Sequence, residues 1–204
     1  MSCEASMKAT VSRDYLDKLL LSHAARTMIR HRIEETIGEV DADAATSDTL
    51  TYFVDNQNVT ALIEVHRGRR VEVETNDQDL AARIRHDLGQ YLAHLEGLLL
   101  DYLVAKLLGY RYELRDKVEL LGEMEIAVRS DLGTFTIFIF SPWITVKLWH
   151  PTLPNVGVHL QQVLTTLKKG GIEFADVRLI ESAAPCPTEG GAVEPLAIGG
   201  AHGG

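Results

Sequence analysis

The segment from Asn76 to Leu108 constrains the fold more than any other part of the chain. Asn76 or Thr75 caps a helix there, Asp77 and Asp79 fall in its first turn, where unpaired N–H groups favour negative charge, and Gly109 follows the last apolar residue. Ile84, Leu88, Leu92, Leu95, Leu99 and Tyr102 recur at helical spacing and mark one face. From Leu98 onward, however, nearly every position is apolar. A helix that is hydrophobic all round has to be buried on several sides, by its own sheet or by another subunit. Asp101 and Lys106 interrupt the run, and it falls short of the roughly 20 apolar residues needed to cross a bilayer.

The flanking segments supply the partners for that helix. Ser12 to Ile37 reads as one helix, with Ser12 as cap and Gly38 as stop, and Glu39 to Asp48 reads as a solvated acidic loop. Leu50 to Val54, Val59 to Val65 and Arg69 to Thr75 form an antiparallel meander, in which Val71 and Val73 alternate with Glu72 and Glu74. Beyond the central helix, Tyr110 to Leu114 reads as a short strand. Glu123 to Ser130 and Thr134 to Phe140 form a hairpin about Asp131-Leu132-Gly133, and Ile144 to Trp149 is a third strand. The uncharged stretch Thr134 to Phe140 would be an aggregation hazard at an open edge, which assigns it to a sheet interior. A helix from Val156 to Lys169 ends at Gly170-Gly171, Ile172 to Ile180 is a last strand, and residues 182–204 read as a disordered Gly/Pro-rich tail. The expectation is an α+β fold: an antiparallel sheet of two meanders against a long central helix, with an N-terminal helix and a short C-terminal helix. Residues 1–181 make one domain, divisible into sub-halves 1–75 and 76–181.

Charge and cysteine content narrow the function classes. With Lys+Arg 20 against Asp+Glu 29, the net charge of -9 argues against broad nucleic-acid binding, which needs a concentrated positive field. Cys3 and Cys186 are the only cysteines, so no disulfide framework is expected and a reducing interior fits better. Met1 to Thr10 has no apolar core of a secretory signal. The expected location is the cytoplasm, with no membrane partner.

Three groups of residues bear on function. His23 and His31, and likewise His86 and His94, lie two helical turns apart, about 12 Å of rise. Neither pair can share one ion whose ligands sit about 2 Å away, and neither a metal set nor a cofactor is expected. His150, Asn155 and His159 bracket a loop stiffened by Pro151 and Pro154, where acid–base or oxyanion roles would suit a hydrolase or transferase, with or without a metal ion. Arg67, Arg69 and Arg70, together with Arg30, would suit an anion or RNA site if the fold united them.

The order of a helix, an antiparallel meander and then Trp149-His150-Pro151, with Asn155 and Gly157-Val158-His159-Leu160 before a helix, resembles the ubiquitin-conjugating or RWD-type fold over about the second half of the chain. Thr152 stands where that motif has Asn, and no cysteine lies near His159. The resemblance therefore implies at most an inactive, binding-only relative. The leading expectation is a non-enzymatic interaction, scaffold or accessory protein that forms a homodimer through Leu95, Leu99, Tyr102 and Leu103 of the central helix, with a further protein partner open. At about 25 cal/mol per Å² of apolar surface, leaving several leucines wet would forfeit several kcal/mol. The hydrolase or transferase reading and the anion-binding reading stand as alternatives.

Overall fold

Ala5, Met7, Ala9 and Val11 alternate with Glu4, Ser6, Lys8 and Thr10, and this period of two builds strand β1 (Cys3–Val11). The computed structural model describes residues 3–107, 124–130, 133–150 and 156–181. Within it β1 lies antiparallel between β8 (Trp143–His150) and β9 (Phe174–Glu181). β7 (Gly133–Phe140) and β6 (Met124–Ser130) extend the sheet on the far side of β8, giving the order β6-β7-β8-β1-β9. The hairpin read from the sequence is thus present, and its uncharged strand lies in the sheet interior between β6 and β8. The sequence reading had no strand at β1. Its apolar positions in the sequence include two alanines, which mark a strand weakly.

Ser12 ends β1 and caps α1 (Arg13–Leu20), its hydroxyl accepting from the Tyr15 N–H at 3.1 Å. The single helix expected from Ser12 to Ile37 is in fact two. Ser22 caps α2 (His23–Ile37) by accepting from the Ala25 N–H at 3.3 Å. Leu16 of α1 is buried in one core, and Leu20 at its end joins Ala25, Met28, Ile29 and Ile33 of α2 in the other. Gly38 ends α2 at φ 120, where a Cβ would come within 2.7 Å of Asn56 Nδ2. That amide donates to the Ile37 carbonyl at 3.2 Å.

The second sheet has the order β2-β3-β4-β5, from β2 (Ala42–Ala45), β3 (Thr49–Asp55), β4 (Thr60–His66) and β5 (Arg70–Thr75), all antiparallel. The three strands of the predicted meander are there. β2 occupies part of what read as a solvated loop, and two arginines of α2 hold the segment in place. Arg26 donates to the Asp43 carboxylate and to its carbonyl, and Arg30 donates to the Val40 carbonyl at 2.7 Å.

α3 (Gln78–Leu107) is the spine of the molecule. Ala81, Ile84, Leu88, Leu92, Leu95 and Leu99 pack with Leu50, Tyr52 and Ile63 in the core under the second sheet. From the very next residue, Leu100, Val104 and Ala105 belong to the core of the first sheet, with Met7, Ile144 and Leu160 of α4 (Val156–Lys169). Full burial is worth about 1.5–3 kcal/mol per large aliphatic side chain, so both cores depend on this helix. The tyrosines between helices and sheet are satisfied. Tyr52 Oη donates to the Arg26 carbonyl at 3.0 Å and Tyr91 Oη to the Met28 carbonyl at 3.1 Å; burial pushes the Tyr91 phenol up to about 12.

A cut at residue 75 does not separate the two sheets, because β1 pairs with strands from the end of the described chain. The short strand expected at Tyr110 to Leu114, residues Asp131 and Leu132 of the turn, and the tail 182–204 lie outside the described residues. Among the described residues no helix is long and apolar enough to cross a membrane.

Candidate functional site

The residues expected to form a dimer interface on α3 are divided by the fold. Leu95 is 0% and Leu99 2% exposed, both inside the core of the second sheet, so neither is free to meet a second subunit. Tyr102 and Leu103 are half-buried. The excess apolar surface seen in the sequence is real, but the second cover it demanded is the molecule's own other sheet.

The arginines are held by separate carboxylates. Arg30 bonds Glu34 at 3.0 Å and faces Asp43, Arg32 pairs with Asp87, Arg67 pairs with Asp14, and Arg70 lies 3.4 Å from Glu72. Arg69 sits in the β4–β5 turn at φ 63. Each of these paired guanidiniums already has a carboxylate, and an incoming anion would have to displace it. The Arg26 hydrogen bond is the main reason the Asp43 carboxyl lies below the usual carboxylate range.

His150 ends β8, opposite Cys3 of β1, and His159 falls on the first turns of α4. Asn155 and the rest of the loop 151–155 lie outside the described residues, as do the side chains of both histidines. His23, His86 and His94 are exposed on α2 and α3, and His31 lies 3.7 Å from Glu34.

Two arrangements emerge that the sequence reading did not single out. The first joins the two halves. Glu96 of α3, only 3% exposed, accepts from both terminal nitrogens of Arg13 on α1 and from Ser141 Oγ, at 2.7 Å, in the β7–β8 turn. Arg13 also donates to Asp17 at 2.9 Å. Burial alone would pull the Arg13 pKa down, but the hydrogen bonds and charges of Glu96 and Asp17 outweigh it and raise it. This is a clamp: it fixes α1, α3 and one end of the first sheet, and its acceptors are occupied by the protein itself. The second arrangement gathers Glu64, His66 and Glu72 on the solvent face of the second sheet.

Apolar surface is exposed at Phe53, Trp143 and Leu179. Trp143 lies under the Lys8 ammonium at 4.9 Å from its ring centre. Leu179 is on β9, the edge strand of the first sheet, beside Asp176 and Arg178, which bond each other at 2.8 Å.

Fold and surfaces together define an α+β protein of two antiparallel sheets on one helical spine. No family model, curated protein or solved structure matches the chain, so the likeness drawn at Trp149-His150-Pro151 rests on those residues alone. The sheet that ends at His150 is not a plain meander either, since β1 is inserted between β8 and β9.

Proposed function

We propose that the chain is a non-enzymatic, cytoplasmic interaction protein that works as a homodimer, two copies joined along β9. The observation that carries this reading is the self-complementary charge order of an edge strand. Asp176 and Arg178 stand on the face away from the core, opposite Thr10 and Lys8, with Val177 between them. In an antiparallel pairing of two copies centred on Val177, each Asp176 faces the other copy's Arg178, and the contact occurs twice. Opposite charges directly across a strand pair contribute about 0.2–1 kcal/mol each, and the backbone ladder supplies the rest. Leu179, 40% exposed in one copy, would gain cover from the second. Such an interface is isologous, as closed two-fold dimers require.

The reading keeps the self-association expected from the sequence and moves it from α3 to β9. Light scattering across the micromolar range tests it. Wild-type protein is expected at twice the monomer mass. Arg178→Asp sets like charges opposite each other twice and should yield monomer, whereas Asp176→Arg with Arg178→Asp restores the complementarity and the dimer. A wild-type monomer throughout that range sinks the proposal, and a dimer that survives Arg178→Asp removes β9 as its seam.

A further inference from the structure

Three side chains on the solvent face of the β2-β3-β4-β5 sheet bring their donor atoms together. Glu64 and His66 are two residues apart on β4, hence on one face, and the β4–β5 register sets Glu72 directly opposite Glu64. Like charges in that position repel each other. A positive group between them removes the penalty.

His66 Nε2 lies 3.5 Å from Glu64 Oε2 and 3.5 Å from Glu72 Oε2, and the donor atoms of the three residues all lie within 4.8 Å of one another. This nitrogen is buried and has no hydrogen-bond partner among the described residues. The other ring nitrogen, Nδ1, is 3.0 Å from Thr49 Oγ1 on β3, which stands opposite His66 in the register. A proton on Nδ1 donates to Thr49 and leaves the Nε2 lone pair aimed at the two carboxylates. Ligand-bearing imidazoles are oriented in this way, by a hydrogen bond through the nitrogen that does not touch the metal.

We propose that Glu64, His66 and Glu72 bind a divalent cation of the zinc class, with a fourth position open to water. Ligands on a tetrahedral ion with bonds of about 2.0–2.1 Å stand about 3.3 Å apart. The two 3.5 Å separations at Nε2 are close to that edge length, so the ion enters with small side-chain movements. One imidazole and two carboxylates favour zinc over magnesium or calcium, which prefer oxygen alone. Arg70 flanks the site, with Nε 3.4 Å from Glu72 Oε1, and its charge opposes the cation.

Calorimetric titration of the full chain with zinc chloride, repeated against a chromophoric chelator, tests the site. One ion per chain is expected at this position. Glu72→Gln keeps the shape of a half-exposed side chain and should weaken binding at least tenfold. His66→Gln should abolish this binding, and circular dichroism checks its fold. Thr49→Val should cost about tenfold or more through the ring orientation, and Arg70→Ala should tighten binding several-fold. Zinc uptake unchanged in both Glu72→Gln and His66→Gln would put the ion on other histidines and overturn the proposal. No uptake by the wild type up to millimolar zinc overturns it too. Magnesium chloride binding as tightly as zinc would overturn the assignment of class.

Discussion

The two sheets are wired differently. In β2-β3-β4-β5 every pair of neighbours is consecutive in sequence, and Ala61 meets Thr75 across a single turn. In β6-β7-β8-β1-β9 the strand β1 pairs Cys3 with His150 and Val11 with Phe174, from opposite ends of the described chain. Loop-closure entropy is small for the first arrangement and larger for the second, and non-local pairings are rewarded only after the intervening chain is ordered. The second sheet is therefore held mainly by its own hairpins and by α2 and α3. The first sheet relies on devices that bring distant segments together: the C-terminal turns of α3, and the Arg13–Glu96–Ser141 clamp.

The strongest attempt to break this contrast is Leu95→Ala. It removes a fully buried side chain from the core of the second sheet and should cost about 2–5 kcal/mol. Because α3 serves both cores, hydrogen exchange should accelerate in both sheets and thermal unfolding should stay a single transition. Loss of protection confined to β3, β4 and β5 would show that the halves are independent.

Glu96→Gln probes the clamp. Replacing the buried carboxylate by an amide weakens its charge-assisted bonds to Arg13 and should cost about 1–3 kcal/mol. Arg13 itself is 45% exposed and stays solvated, which keeps the loss at the lower end. The contrast predicts faster amide exchange in β1 and β8 than in β3 and β4.

Asp101 offers a pH-dependent version of the same test. Its Oδ1 is buried with no hydrogen-bond partner among the described residues, and burial pushes the carboxyl up to about 7 from the ordinary 3.8. Between those two values the folded protein holds a proton that the unfolded chain has released, so stability falls as pH rises from about 4 to about 7 and then levels off. Asp101→Asn should flatten this dependence and stabilise the protein by about 1–3 kcal/mol more at pH 8 than at pH 4. Urea unfolding at the two pH values checks it.

The smallest effects belong to the helix caps. Ser12→Ala and Ser22→Ala should each cost about 1 kcal/mol, the first acting beside β1 and the second beside the other core, as paired urea midpoints would show.

What could be read in the sequence follows the same division. The meander and α3 were legible because periodicity, turn residues and caps are local signals. β1 carries an alternation, but Ala5 and Ala9 gave it little weight, and no local signal announces a partner as far away as Leu148 or Val177. The break at Leu21-Ser22 has no glycine or proline, and its local mark is a serine, Ser22, that caps α2. The apolar surplus of α3 was visible; whether a second subunit or a second sheet covers it depends on tertiary structure alone. Glu64, His66 and Glu72 read as an ordinary wet face. The available clue was the register, because a turn at Arg67 to Arg69 forces Glu64 opposite Glu72.

The position of β1 has a consequence for synthesis. It leaves the ribosome before α1, the second sheet and α3, while β8 and β9, its neighbours on either side, leave long afterwards. Throughout that interval the strand carries two unpaired ladder edges, and the rest of the nascent chain can already begin to fold. Glu4, Ser6, Lys8 and Thr10 then act as gatekeepers, making one face of the waiting strand polar and charged and a poor template for other chains until its own partners arrive.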